Sequence, residues 1–369
     1  LAGWLQSYPA TFGLRNYQHS EPEGDDVATI FHNDTAEGEV LLSHRRMGRL
    51  VGSLGGWFMS RAFESIGEEA LTPAVDQGAV AAFVYEEVES PRATLQFGGR
   101  FDHATFEPDQ HRRIRTFNEW SASAGLLLKP QAAKDDFVIA LNLARASRYP
   151  SLEELYYFGP HPGNLSFEIG NDELDAEHAL GFDLSLRGRG ARFEGELTFF
   201  RNDITNYIFR QPTGDVQDSF LVVRNIEADS VLTGIEAQGD VRLTNALTLD
   251  VTYDMMRGKL KDGGDPLPRI PPQRLLAGLT YRKNALQIGG SAQIVADQNR
   301  VFGEELPTEG YVTAKFFASY SFESAGMRNT VTARLDNAGD TLYRNHLNYL
   351  KEFLPEAGRS FKLVYSLGF

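Results

Sequence analysis

The last nine residues, Phe361 to Phe369, put Phe, Leu, Tyr, Leu and Phe on the odd positions and Lys362, Val364, Ser366 and Gly368 between them. Such a strand, one face wholly apolar and the other mixed, fits a wall that meets hydrocarbon, and it also fits a half-buried soluble strand. The period of two continues through the chain. Leu247, Leu249, Val251, Tyr253 and Met255 alternate with Thr248, Asp250, Thr252 and Asp254. Phe182, Leu184 and Leu186 alternate with Asp183, Ser185 and Arg187, and residues 235–243, 286–294 and 312–322 repeat the pattern. A soluble sandwich hides the apolar face and a membrane barrel exposes it, so alternation alone leaves both open. Length separates them. Globular strands usually span about 5–6 residues, whereas the segments 49–63, 92–106, 116–129 and 190–209 run well beyond that. A tilted strand needs about 9–11 residues to cross a bilayer.

Composition removes the competing classes. Mean hydropathy is −0.32, and no stretch approaches the roughly 18 uncharged apolar residues of a membrane helix. The absence of Cys leaves no disulfide framework and no thiolate metal site. A net charge of −14, from 36 basic and 50 acidic residues, argues against nucleic acid as a partner. No Gly/Ser or Pro-rich linker divides the chain, so residues 1–369 read as one domain. Leu1 is followed by neither a charged n-region nor an apolar h-region, so an exported protein is expected to carry its leader upstream of this sequence.

Connector lengths supply a second discriminator. Short turns near 47–48, 90–91, 129–134, 188–190, 244–245, 283–284 and 324–326 alternate with longer links near 20–26, 64–77, 107–115, 148–175, 210–218, 260–270, 300–310 and 338–358. Short inner turns and long outer loops are the habit of outer-membrane barrels, and the count gives about 16 strands. The expected fold class is therefore all-β, a transmembrane antiparallel β-barrel.

Particular residues then carry a resemblance. Leu335-Asp336-Asn337-Ala338-Gly339-Asp340, the stretch through Tyr343-Arg344-Asn345-His346, and Leu354-Pro355-Glu356-Ala357-Gly358-Arg359 before the last strand resemble the closing signature of TonB-dependent outer-membrane receptors. Arg148-Tyr149-Pro150-Ser151-Leu152-Glu153-Glu154-Leu155-Tyr156, Phe167-Glu168-Ile169-Gly170-Asn171-Asp172-Glu173-Leu174 with Glu177, Gly234-Ile235-Glu236 and Pro268-Arg269-Ile270-Pro271-Pro272-Gln273-Arg274 are similar to the same family in order and spacing. The resemblance implies a barrel of 22 strands with an N-terminal plug. About 16 strands fit here and the plug is absent, so the sequence looks like the C-terminal barrel portion. It further implies a bacterial outer-membrane location, contact with lipid, active uptake of a scarce nutrient, and coupling to the TonB complex through the missing N-terminal region.

Within the family, Asn16 to Asp25 leading into Thr29 to Asp34, and the loop that holds His161, resemble a zinc-uptake branch. That makes His19, Glu21 and His161 candidate metal ligands, since imidazole nitrogen and carboxylate oxygen suit Zn²⁺. The alternative for the same residues is a solvated acidic loop. Zinc or another metal would be cargo, and no built-in cofactor is expected. His44, His103 and His111 read as surface residues near turns, and Tyr253, Tyr281, Tyr311, Tyr320 and Phe322 as interface girdle residues. Leu152 to Tyr157 reads as a short helix within the long loop. Gly55-Gly56, Gly98-Gly99 and Gly289-Gly290 fall inside strands, where glycine marks close packing or bulges. Charged residues such as Asp183, Glu194, Glu196, Glu236, Asp240, Asp250 and Asp254 fall on the polar face and read as lumen lining rather than catalytic pairs. No Ser/His/Asp arrangement stands out, so an enzyme is not expected. A passive porin-like channel stays open as the alternative to a TonB-coupled receptor.

Overall fold

The computed structural model describes residues 3–23, 26–67, 70–130 and 137–368. Leu1, Gly24-Asp25, residues 131–134 of one expected turn and Phe369 lie outside them. The described residues form one sheet of 19 strands, with a five-residue α-helix and a 3-10 turn. Three strands are short: β1 (Leu5–Ser7), β9 (Phe158–His161) and β10 (Ser166–Ile169). The other sixteen run from 9 residues in β19 (Ser360–Gly368) to 25 in β12 (Phe193–Gln217). No helix is long and apolar enough to cross a membrane.

The chain divides into two compact units, one of residues Leu1–Leu128, Leu141–Phe182 and Asn202–Val231, the other of Lys129–Ala140, Asp183–Arg201 and Leu232–Phe369. In the second, six consecutive strands pair antiparallel: β14 (Leu247–Leu260), β15 (Arg274–Lys283), β16 (Leu286–Val295), β17 (Tyr311–Ser324), β18 (Met327–Asp336) and β19. The register puts apolar residues in rows. Leu249 stands opposite Leu279, then Gly290, Phe316, Leu335 and Phe361 in turn. The next strand position carries the other character: Thr248 faces Thr280, and Arg334 faces Lys362. Phe361, Leu363, Tyr365 and Leu367 of the last strand are exposed, and so are Lys362, Val364 and Ser366 between them, so it is register rather than exposure that separates its faces. Glycines serve the close packing expected of them, because the ring of Phe316 lies where a Cβ on Gly290 would stand, at 2.7 Å.

The first unit contains another antiparallel run: β2 (Ala10–Glu23), β3 (Asp26–His44), β4 (Leu50–Gly67), β5 (Val75–Glu89), β6 (Ala93–Pro108) and β7 (Arg115–Leu128). Val80, Val84, Phe101 and Trp120 are exposed on one face, while Val75, Ala79, Ala104, Phe106 and Phe117 are buried on the other. What buries them is the long connector after β8 (Phe137–Arg148). Its helix α1 (Leu152–Tyr156) starts at a capping box, where Ser151 Oγ accepts the Glu154 N–H at 3.2 Å and the Glu154 carboxylate accepts the Ser151 N–H at 2.8 Å. Leu152, Leu155 and Tyr156 then pack on the strand residues just named. The short helix expected at 152–157 is present, and its connector lies against the face opposite the apolar one.

Four expectations need correction. Residues 210–218 are strand rather than outer link: β12 and β13 (Phe220–Arg242) meet at Asp218 and Ser219, with φ of 51° and 68°. Two consecutive positive-φ residues make the tight hairpin turn whose twist suits the flanking strands, so pairing survives to the tip despite Pro212 and Gly214. The 20–26 link is likewise nearly all strand. His44 is buried rather than at the surface, with Nε2 3.0 Å from Glu86 and Nδ1 2.7 Å from the Arg45 carbonyl. Tyr311 is no girdle residue, since its neighbour Val312 holds the exposed position and the Tyr311 ring packs 4.4 Å from Tyr343.

Candidate metal-capture site

The connector between β8 and β11 (Glu177–Arg189) is fastened at its base by Arg148, whose guanidinium donates to Glu177 at 2.7 Å and to Glu154 at 2.7 and 3.2 Å. Arg115 adds a clamp from the wall to the carbonyls of Asp172 and Leu174. Above the helix the chain makes a small flap. Strand β9 pairs antiparallel with β10, and β10 pairs in parallel with β13, Ser166 opposite Leu221 and Ile169 opposite Arg224. The turn between them holds Leu165 at a φ of 51°.

At the centre of the flap stands Glu168, only 2% exposed. Its Oε1 accepts from Arg210 Nη1 at 2.7 Å, His161 Nδ1 at 2.9 Å, Asn164 Nδ2 at 2.9 Å and Ser166 Oγ at 3.2 Å. Burial pushes this carboxyl upward, but the bonds from His161 and Asn164 and the Arg210 charge outweigh it and hold it below the usual carboxylate range. An ionised carboxylate only accepts, so His161 Nδ1 donates to Glu168; Asn164 Nδ2 lies 3.0 Å from the same ring nitrogen, and Nε2 stands outside this cluster of bonds. The His161 side chain is 36% exposed.

His19 and Glu21 lie near the tip of the β2–β3 hairpin, with Nε2 and Oε1 3.6 Å apart. The His19 ring stacks on Phe31 at 4.5 Å and 7°, and Tyr17 flanks it at 5.4 Å. Arg61, opposite Thr35 on the adjoining strand, donates to Asn33 at 3.0 Å. His19 is therefore held as much by ring stacking as by charge. Among the described residues no three His, Cys, Asp or Glu side chains gather closely enough to hold a metal ion. The structure thus pairs His19 with Glu21 and His161 with Glu168, without bringing the three candidate ligands into one group.

Sequence reasoning quoted Glu168 only as part of a motif and missed Arg210 altogether. The two are 42 residues apart and on different elements, so no local pattern announces the pair.

A second carboxylate, partly buried, lies in the other unit. Glu305 receives the Arg269 N–H at 3.0 Å and Lys351 Nζ at 3.0 Å. His346 Nε2 stands 3.2 Å from the same carboxylate, within ion-pair range though without hydrogen-bond alignment. His346 Nδ1 meets Thr308 Oγ1 at 3.0 Å. Burial acts to raise the Glu305 carboxyl, but His346, the Arg269 N–H and Lys351 together bring it down to about 2. Burial in turn lowers Lys351. Arg269, at a φ of 58°, lays its guanidinium 3.5 Å from the Tyr349 ring centre. Three connectors, 261–273, 296–310 and 337–359, are tied together by these contacts.

The family model described as TonB dependent receptor-like, beta-barrel matches residues 3–338. The chain belongs to the TonB-dependent receptor β-barrel family. It is an all-β, transmembrane antiparallel barrel segment of the bacterial outer membrane, and in such a barrel the apolar face meets lipid while the polar face lines the interior. The chain is 28% identical over 266 residues to the heme/hemopexin utilization protein C of Haemophilus influenzae, a match covering 63% of this chain and 36% of that protein. The fold is similar to the copper transporter OprC, with a TM-score of 0.83 at 18% identity over 100% of this chain and 63% of that one. It is also similar to the FrpB iron transporter of Neisseria meningitidis, with a TM-score of 0.76 at 15% identity over 98% and 62% of the two chains. The chain thus spans about a third of the length of the curated relative it matches.

Proposed function

We propose that this TonB-dependent barrel captures a scarce metal-bearing nutrient at the outer surface and takes it up with energy coupled through TonB, and that His161, with His19 and Glu21, forms the capture surface. The observation that carries the reading is His161 itself. A ring held by Nδ1 to a buried carboxylate, with Nε2 outside that bond, is the usual presentation of a metal-binding imidazole. A bare Zn²⁺ ion asks for about four ligands in a tetrahedral set, and no such group stands among the described residues. A metal that arrives inside a chelator asks for one donor from the protein, which favours a chelate over a bare ion. The names of the similar proteins, which refer to heme, copper and iron, support a metal-bearing cargo. The exposed rings of Tyr17 and the His19–Phe31 stack suit a flat chelate better than an ion.

The test is a titration of the intact receptor with hemin and, separately, with Zn²⁺ alone. His161→Ala is expected to weaken hemin binding by about tenfold or more while zinc binding stays weak. Uptake in cells should stop when TonB is removed, with binding at the surface unchanged. Tight zinc binding that needs His19, Glu21 and His161 would return the cargo to the bare ion. Equal uptake with and without TonB would favour a passive channel.

A further inference from the structure

Four donors converge on one carboxylate oxygen of Glu168, and they come from two places. His161, Asn164 and Ser166 belong to the flap, whereas Arg210 belongs to the wall strand β12. A buried carboxylate demands a cation, and Arg210 at 2.7 Å supplies it. The imidazole then contributes an N–H and nothing more. Arg210 meets the charge, and Asn164 and Ser166 already donate to the same oxygen, so the bond from His161 is not needed to satisfy the carboxylate; what that bond fixes is the ring.

We propose that Glu168 and Arg210 are positioning residues for the cargo-binding imidazole: the carboxylate, anchored to the wall by Arg210, holds His161 by Nδ1 and directs Nε2 toward the cargo. This rests on the reading of His161 as the capture ligand. Gly163 completes the arrangement. A Cβ there would stand 3.7 Å from His161 Nε2, in ordinary contact, so a larger side chain at 163 would extend beside that nitrogen. Its backbone φ lies outside the left-handed region, so the turn tolerates a side chain at 163, and the nearest atoms a Cβ would meet belong to the His161 ring.

The experiment uses the intact receptor and hemin as probe, reading affinity together with the absorption spectrum, which reports whether a nitrogen occupies the axial position of the iron. Glu168→Ala is expected to weaken hemin binding by about tenfold, the usual cost of losing the group that orients a metal-binding histidine, and to shift the spectrum toward that of His161→Ala. Glu168→Gln keeps an oxygen that accepts from Nδ1 and should restore most of both. Arg210→Met should fall between them. Gly163→Val should cut binding with the Glu168 contacts intact. If Glu168→Ala does not reach the membrane, Arg210→Met and Gly163→Val decide the matter. Wild-type affinity and spectrum in those two variants, beside a deficient His161→Ala, would overturn the positioning role and leave the capture reading standing. A His161→Ala receptor that binds hemin like the wild type would overturn both.

Discussion

Two largely enclosed glutamates gather long connectors, one in each unit, and the histidine beside each meets an opposite fate. Beside Glu305, His346 is 2% exposed, its Nδ1 engaged by Thr308 and its Nε2 crowded against the carboxylate. Beside Glu168, His161 is more than a third exposed and is bound through Nδ1. The same pair of residue types is a fastening in one place and, on the proposed reading, a presentation in the other. What separates them is where the cation comes from. Lys351 is buried and near its glutamate, so removing either leaves a stranded charge. Arg210 is one-third exposed in its side chain, and water can accept it when Glu168 is gone. A histidine beside a carboxylate therefore carries no functional meaning until the free nitrogen is located.

The largest expected effect follows from that difference. Glu305→Ala strands the Lys351 ammonium, and breaking a buried pair in this way costs about 3–5 kcal/mol. It should appear as lost amide-exchange protection across residues 261–273 and 337–359, with hemin affinity unchanged. Glu168→Ala should lose hemin and little protection. The reverse assignment of the two losses would break the comparison. A control on the wall separates loop effects from barrel effects. Leu363→Arg, on the apolar face of β19, should cost about 2–4 kcal/mol in lipid, whereas Lys362→Ala, whose exposed ammonium lies 3.5 Å from an Asp336 already paired with Arg334, should cost less. Equal costs would mean that the two faces are misassigned. His346→Ala should destabilise by about 1–3 kcal/mol through the Thr308 hydroxyl and buried space it leaves behind, and should not change cargo affinity.

The smallest effect is one of acidity. Glu305 falls from 4.5 to about 2 in the folded protein, so its contribution is fully present above about 4.5 and is lost as pH drops toward 2. Protection of its three connectors should stay flat from neutral pH down to about 4.5 and decline below. A decline that begins well above pH 4.5 would contradict the assignment to Glu305.

The wall was legible in the sequence because alternation and strand length are local quantities. Leu249 and Phe361 take the face that their neighbours require, and about sixteen long strands could be counted. The hairpin tip at Asp218-Ser219 was not legible, since Pro212 and Gly214 imitate a loop while a positive-φ pair further on sets the turn. Tyr311 was misread for a related reason: it begins a strand at the position where parity turns it toward Tyr343. At the site, His161 and His19 could be named from the residues that surround them. Arg210 and Lys351 could not, because each reaches its glutamate across more than forty residues of chain. Burial decides the role of His44 and His346, and burial is a property of the fold.

The central claim is that the accessible nitrogen of His161 meets the cargo and that His346, with a similar partner, does not. Hemin titration of the intact receptor with His161→Ala and His346→Ala side by side tests it directly. The account predicts about a tenfold or greater loss of affinity and a changed iron spectrum for the first, and wild-type affinity and spectrum for the second. Equal affinity in the two variants would contradict it.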